Sequence, residues 1–169
     1  MKTIFIARHA TTKPAKKNQD DSDRPLTLKG QDEAQWLGQA ISKISSPSQI
    51  VTSSATRAQE TSQFVEENLA SRILIETTPE LYLAPSQLIL KFLKNRPDTT
   101  ETVALVGHNP GLSQFLLDIS GIESNPEAVK RIYRGLPPAG LAILECQADS
   151  WSDLSRDNTV LMRLLHPGE

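Results

Sequence analysis

The residues able to do chemistry in this chain fall into a few short strings. Arg8-His9 stands near the start, Arg57 lies inside SSATRAQ, His108 lies inside VGHNPG, and Arg24 occupies the polar stretch after the first pair. Two histidines and three arginines brought together repel one another unless an anion lies between them. A phosphoryl dianion suits that set. Guanidinium forks match phosphate oxygens bidentately, and helix N-termini near Arg57 and Asn109 would add N–H donors and partial positive charge. Flanking arginines hold an imidazole neutral near pH 7, so one histidine can supply a nucleophilic nitrogen while the other donates to the phosphoryl oxygens. The chemistry implied is phosphoryl transfer through a phosphohistidine, driven by positioning and electrostatics.

Taken singly, each residue has a plainer reading. Arg57 could be a helix-surface residue paired with Glu60, His108 a buried histidine bonded to backbone, and Arg24 a solvent-facing charge. Their coincidence in the element pattern decides otherwise. Residues 3–7 form a β-branched and aromatic run, read as a buried strand ending at Arg8-His9. A charge-mixed loop over residues 11–25 follows, long enough to carry function. Thr27 is placed as an N-cap, with Ala34, Leu37, Ile41 and Ile44 spaced for one helix face. Residues 50–53 read as a second strand. A helix begins near Thr56, with Ala58, Thr61, Val65 and Leu69 inward. Residues 72–76 read as a third strand, 85–95 as a third helix, and the apolar run 102–107 as a central strand. Pro110 falls in the first turn of a fourth helix, where its missing N–H costs nothing. Strands over 140–146 and 159–165 close the chain around a turn-like segment, 148–157.

Strands alternating with helices predict an α/β fold, a mostly parallel sheet covered on both faces. Ligands of such sheets bind beyond the carboxyl ends of the strands. Arg8-His9, Arg57 and His108 all fall there, and Arg24 can reach the same edge from its loop.

The bulk numbers narrow the partners. A chain of 169 residues and 18.6 kDa suits one domain, residues 1–169. Its net charge of -2 and pI of about 5.9 speak against nucleic acid or an anionic membrane as partner, since both need a basic surface. Cys146 is the only cysteine, so no intramolecular disulfide forms, and its place in LAILEC predicts a buried, inert thiol. The apolar start MKTIFIAR is too short for a signal h-region, and nothing approaches the ~20 apolar residues of a membrane span. The expected location is the cytoplasm. No Cys or carboxylate cluster has ligand spacing, so no metal or other cofactor is expected. His166, beside Pro167 and Gly168, reads as exposed and inert. Lys16-Lys17 and Lys130-Arg131-Arg134 read as solvated charge, the second able to rim a pocket.

The strings IARHA, DRPLTLKG, TSSATRAQET, PELYLA, VGHNPGL and LPPAGLAILE, in this order and spacing, resemble the SixA-type branch of the histidine phosphatase superfamily over nearly the whole chain. The resemblance implies a three-layer α/β/α sandwich like that of the phosphoglycerate mutases, and a metal-independent phosphatase. By match to RHA, His9 is the nucleophile and Arg8 a phosphate ligand. By match to the RAQET helix start, Arg57 is a second phosphate ligand, and by match to VGHNPG, His108 is the fourth member. The DRPLT string makes Arg24 an accessory phosphate contact.

One departure bears on the substrate. Larger members carry a glutamate acid just after the leucine of their PELY equivalent, and a cap segment nearby. Here the chain continues Tyr82-Leu83-Ala84-Pro85, without acid or cap, and Glu80 precedes the leucine. An alkoxide leaves poorly without a proton donor, whereas an imidazole nitrogen can be protonated by solvent. An uncapped site also admits a protein side chain. Both features favour protein phosphohistidine as substrate. The alternatives are a phosphatase of small phosphate esters, its acid supplied by Asp20 or Asp21, and a non-catalytic phosphoprotein-binding module. The module needs only the arginines, and the intact His9 and His108 argue against it.

Overall fold

The computed structural model describes residues 1–169. Six strands form one sheet: β1 (Lys2–Arg8), β2 (Gln49–Ser53), β3 (Ile75–Thr78), β4 (Thr102–Gly107), β5 (Leu141–Cys146) and β6 (Thr159–Leu165). Their order across the sheet is β3-β2-β4-β1-β5-β6. β1, β2, β3 and β4 pair in parallel, and β5 runs antiparallel to both its neighbours. The expected α/β architecture is the observed one.

Period-two alternation puts each central strand on two cores at once. In β1, Ile4 and Ile6 join one buried cluster while Phe5 and Ala7 join the other. In β4, Val103 and Leu105 part from Ala104 and Val106 in the same way. Helices α1 (Leu28–Ser42) and α2 (Thr56–Glu67) cover one face through Leu37, Ile41, Ala58 and Val65. Helices α3 (Ser86–Lys94), α4 (Gly111–Ile119) and α5 (Pro126–Ile132) cover the other through Ile89, Phe115, Leu116 and Ile132. None of the helices is long and apolar enough to cross a membrane.

Local chemistry sets the element bounds. Thr27 caps α1, its side chain accepting the Gly30 N–H at 2.9 Å. Helix α1 stops at Ser42, so Ile44 lies past its end and is exposed rather than on the buried face as expected. β3 begins three residues later than the pattern suggests. It is an edge strand, and its pairing runs from Ile50↔Ile75 to Ser53↔Thr78, so Thr77 and Thr78 join the ladder while Arg72 lies outside it, exposed. Pro110 precedes α4 as its cap residue instead of opening its first turn. Helix α5 went unread in the sequence, although Asn125 caps it by accepting the Glu127 and Ala128 N–H groups and Pro126 stands at its start. The segment 148–157 is built of turns, but it buries Trp151, whose indole donates to the Thr100 carbonyl at 2.7 Å.

Candidate active site

Beyond Arg8 the backbone is held from two sides. The His9 N–H donates to the Gly107 carbonyl at the end of β4 (3.1 Å). The His9 carbonyl accepts the Ala139 N–H (3.2 Å) from the turn ahead of β5, and the Arg8 N–H donates to the Gly140 carbonyl (3.1 Å). The LPPAG string thus anchors the end of β1.

The tautomer of His9 follows from its neighbours. Its Nδ1 lies 2.8 Å from the Ala10 carbonyl oxygen, which only accepts, so Nδ1 carries the ring proton. Thr12 Oγ1 lies 3.2 Å from the same nitrogen and donates its own hydrogen to the Ala10 carbonyl at 3.0 Å. Nε2 therefore keeps its lone pair, and the Arg57 Nε–H donates to it at 3.3 Å. Burial pushes the His9 imidazole down to about 4. The Ala10 bond opposes this, and the charges of Arg57, Arg8 and Arg24 reinforce it.

Arg57, in the first turn of α2, is 4% exposed. Its Nη1 donates to the Asp21 carbonyl at 2.7 Å and its Nη2 to Asp21 Oδ2 at 2.9 Å. Glu60 is not its partner and instead accepts the Leu26 N–H at 2.7 Å. Arg8 gives Nη1 to the Leu136 carbonyl at 3.0 Å, which also accepts Asn109 Nδ2 at 2.8 Å. Burial and the nearby Arg57 charge lower the Arg8 pKa.

His108 follows β4 and is 3% exposed. Its Nε2 lies 2.7 Å from Ser53 Oγ, which also accepts the Ala55 N–H at 3.2 Å. The serine hydrogen is then free to go to Nε2, leaving the ring proton on Nδ1. Nδ1 of His108 and Nε of Arg8 are buried without a hydrogen-bond partner. A buried unmade bond costs about 1–3 kcal/mol, so two orphaned donors in one cluster mark where the oxygens of an anion belong. Burial, with the His9 and Arg57 charges, pushes the His108 imidazole down to about 3. The two histidine rings lie 5.2 Å apart, and Tyr82 meets His108 edge-on at 5.6 Å.

The structure thus brings Arg8, His9, Arg57 and His108 together. Arg24 does not join them in direct contact. Its Nε donates to the Lys13 carbonyl at 2.8 Å and its Nη1 to Asp21 Oδ1 at 2.9 Å. Asp21, on a single 3-10 turn (Asp21–Asp23), is the hub between Arg24, Arg57 and the Tyr82 hydroxyl, which donates to Oδ2 at 2.7 Å. The Tyr82 bond, then Arg24 and Arg57, hold the Asp21 carboxyl well below the usual carboxylate range against a smaller effect of burial. The carboxyl group nearest the site is therefore an ionised acceptor, not a proton donor. Asp20, which caps its turn, and Glu80, in the middle of the 3-10 turn Pro79–Leu81, are both exposed. Ser53, Thr12 and Tyr82 were not singled out by residue type. Ser53 and Tyr82 do lie within the quoted strings TSSATRAQET and PELYLA. No group of three or more His, Cys, Asp or Glu side chains is placed to hold a metal.

The sequence pattern of the histidine phosphatase superfamily (branch 1) matches residues 4–82, which contain Arg8, His9 and Arg57. A protein of Agrobacterium tumefaciens assigned to the SixA phosphohistidine phosphatases has a solved structure that superposes with a TM-score of 0.81, covering 98% of this chain and 99% of that one at 26% identity. The chain is thus similar to the histidine phosphatase superfamily in sequence over residues 4–82 and to a SixA-assigned protein in fold over its length. A SixA-assigned protein of Nakamurella multipartita shares the fold at a TM-score of 0.83 and 24% identity, covering 99% of this chain and 97% of the other. An uncharacterised protein of Mycobacterium leprae is 28% identical over 143 residues, spanning 84% of this chain and 86% of that protein. His108 lies outside the matched residues 4–82. It comes to the site through the pairing of β1 with β4 in parallel, Arg8 opposite Gly107.

Proposed function

We propose that this chain is a phosphatase of the histidine phosphatase superfamily in which His9 Nε2 attacks phosphorus and becomes transiently phosphorylated, and that its substrate is phosphohistidine in a protein. The observation that carries the reading is the lone pair on His9 Nε2, next to Arg57 Nε and in a cluster with two orphaned donors, Arg8 Nε and His108 Nδ1. The phosphoryl oxygens bind Arg8, Arg57 and the His108 Nδ1–H, which also stabilises charge as the bond to the leaving group breaks. Water then attacks the phosphohistidine, and inorganic phosphate departs. The substrate class rests on the leaving group. Between β3 and α3 the chain has only residues Pro79–Pro85, with no cap and no acid after Leu81, and Asp21 is held ionised. A leaving imidazole needs no strong acid, whereas an alkoxide does. The solved relatives assigned as phosphohistidine phosphatases support the same choice.

Three measurements test this. His9→Ala folds as the parent does and loses turnover by roughly 10³-fold or more, and quenched wild-type protein carries an acid-labile, alkali-stable phosphoryl group on His9. Substantial activity in the variant would sink the mechanism. Against esters of graded leaving-group pKa, the rate falls steeply as the leaving group worsens. A flat dependence, or a preference for an alkyl phosphate, would reveal a hidden acid and favour small phosphate esters instead.

A further inference from the structure

Arg57 is the arginine whose guanidinium touches His9, yet its outer edge is already occupied. Nη1 and Nη2 both donate to Asp21, one to the backbone carbonyl and one to the carboxylate. The carbonyl oxygen and the carboxylate oxygen together give the fork two acceptors, as two oxygens of a phosphoryl group would. The two partners are held very differently. Arg57 is 4% exposed and issues from a long helix packed against the sheet, while the Asp21 side chain is 45% exposed on a single 3-10 turn. The turn belongs to a loop pinned at its base, where Thr12 bridges Leu26 and the Lys13 N–H donates to the Pro25 carbonyl at 2.9 Å. Of the pair, Asp21 is the one free to move. When it does, its carboxylate keeps Arg24, which rides on the same segment, so displacement does not strand an unpaired charge.

We propose that Asp21 is an internal competitor for the phosphoryl site, holding Arg57 in the free protein, yielding it to the incoming phosphoryl group, and returning to expel phosphate. This rests on the reading of the cluster as a phosphoryl site, and it makes Asp21 an affinity-setting residue rather than the missing acid. A competitor that closes part of the population weakens every anion needing Arg57 by one common factor, the inverse of the open fraction. The same factor applies to product, so the residue shortens the stay of inorganic phosphate.

The test is calorimetric titration of the folded protein with inorganic phosphate and with vanadate, for wild type and Asp21→Asn. The amide keeps the shape and an acceptor for Tyr82 but gives up the charge. For an ion pair with one exposed partner, the gain is roughly two- to fivefold, and both ligands tighten by the same factor. KM falls alongside, and the leaving-group dependence of kcat keeps its slope. Tyr82→Phe removes only one bond to Oδ2 and moves both ligands in the same direction by less. It also carries the test if the first variant is unstable by thermal melting. Unchanged or weaker binding overturns the proposal, the latter making Asp21 a brace for Arg57. A steeper leaving-group dependence at unchanged affinity also overturns it, because Asp21 is then the acid. If wild type binds both ligands but Asp21→Asn does not tighten them, this inference alone fails. If neither protein binds either ligand, the phosphoryl site itself is disproved.

Discussion

His9 and His108 differ in what their ring nitrogens do, and that difference separates an acceptor from a donor. On His9 the Ala10 carbonyl accepts from Nδ1–H and leaves Nε2 as an acceptor, facing Arg57 Nε–H, while on His108 the Ser53 hydroxyl occupies Nε2 and leaves Nδ1–H unpaired. Both rings must be neutral for this division of labour, and burial keeps them so, with values of about 4 and about 3 in place of the ordinary 6.5. The sign follows directly. Between about 6.5 and 4 the unfolded chain takes up protons that the folded one refuses, so stability falls as the pH falls through that window. In nitrogen-detected histidine spectra, both rings are expected as neutral Nδ1–H tautomers at pH 6. An imidazolium on His9 at that pH would remove the nucleophile. The residue types of the cluster were legible in the sequence, because Arg8-His9, Arg57 and His108, each with a plainer reading alone, coincide on the ligand edge of the sheet. Their tautomers were not, since Ala10, Thr12 and Ser53 act through carbonyl and hydroxyl groups whose positions only the fold supplies.

The elements that aim these groups were readable to the extent that one pattern dominated each. β1 and β4 are continuous apolar runs, and α1 and α2 show one apolar stripe apiece, so their places were clear. β3 is half exposed at the sheet edge, where alternation is weak and pairing with β2 decides the register. Helix α5 is one short stretch with two buried residues, too few to show a period. Close packing also explains a motif residue that has no chemistry. Gly111 opens α4 in the VGHNPG string, and a Cβ there would lie 1.8 Å from the Ala84 carbonyl oxygen, a backbone atom unable to swing aside. Gly111→Ala must push the start of α4 away from the residues before α3, taking Asn109 and His108 with it. Overpacking of this kind costs about 1–3 kcal/mol, which for a chain of this size lowers the melting temperature by roughly 2–12 °C. Activity is expected to fall further than stability, because His108 Nδ1 shifts relative to Arg8. Unchanged melting and turnover would show that α4 relaxes without cost.

Across the whole molecule the charge is nearly balanced, at -2, yet Arg8, Arg24 and Arg57 all act on one imidazole. The fold produces this concentration: parallel β1, β2 and β4 end on one edge, where His9 and His108 follow the last residues of β1 and β4 directly and Arg57 follows β2 in the first turn of α2. Such a site draws anions locally and repels cations. The donor chemistry needed to hold a divalent ion is not assembled elsewhere either, since no group of three or more His, Cys, Asp or Glu side chains is placed for it. In metal-dependent phosphoryl transfer a cation neutralises the phosphoryl oxygens. In the proposed reaction two guanidinium groups and the His108 Nδ1–H take that role. Turnover of p-nitrophenyl phosphate is therefore expected to be unchanged by prolonged chelation and unimproved by added magnesium or zinc. Vanadate, which adopts the five-coordinate geometry of phosphoryl transfer, inhibits competitively. Chelation that abolishes the rate, with recovery on adding one divalent ion, would mean that a cation enters the cluster despite the arginines and that their role must be reassigned.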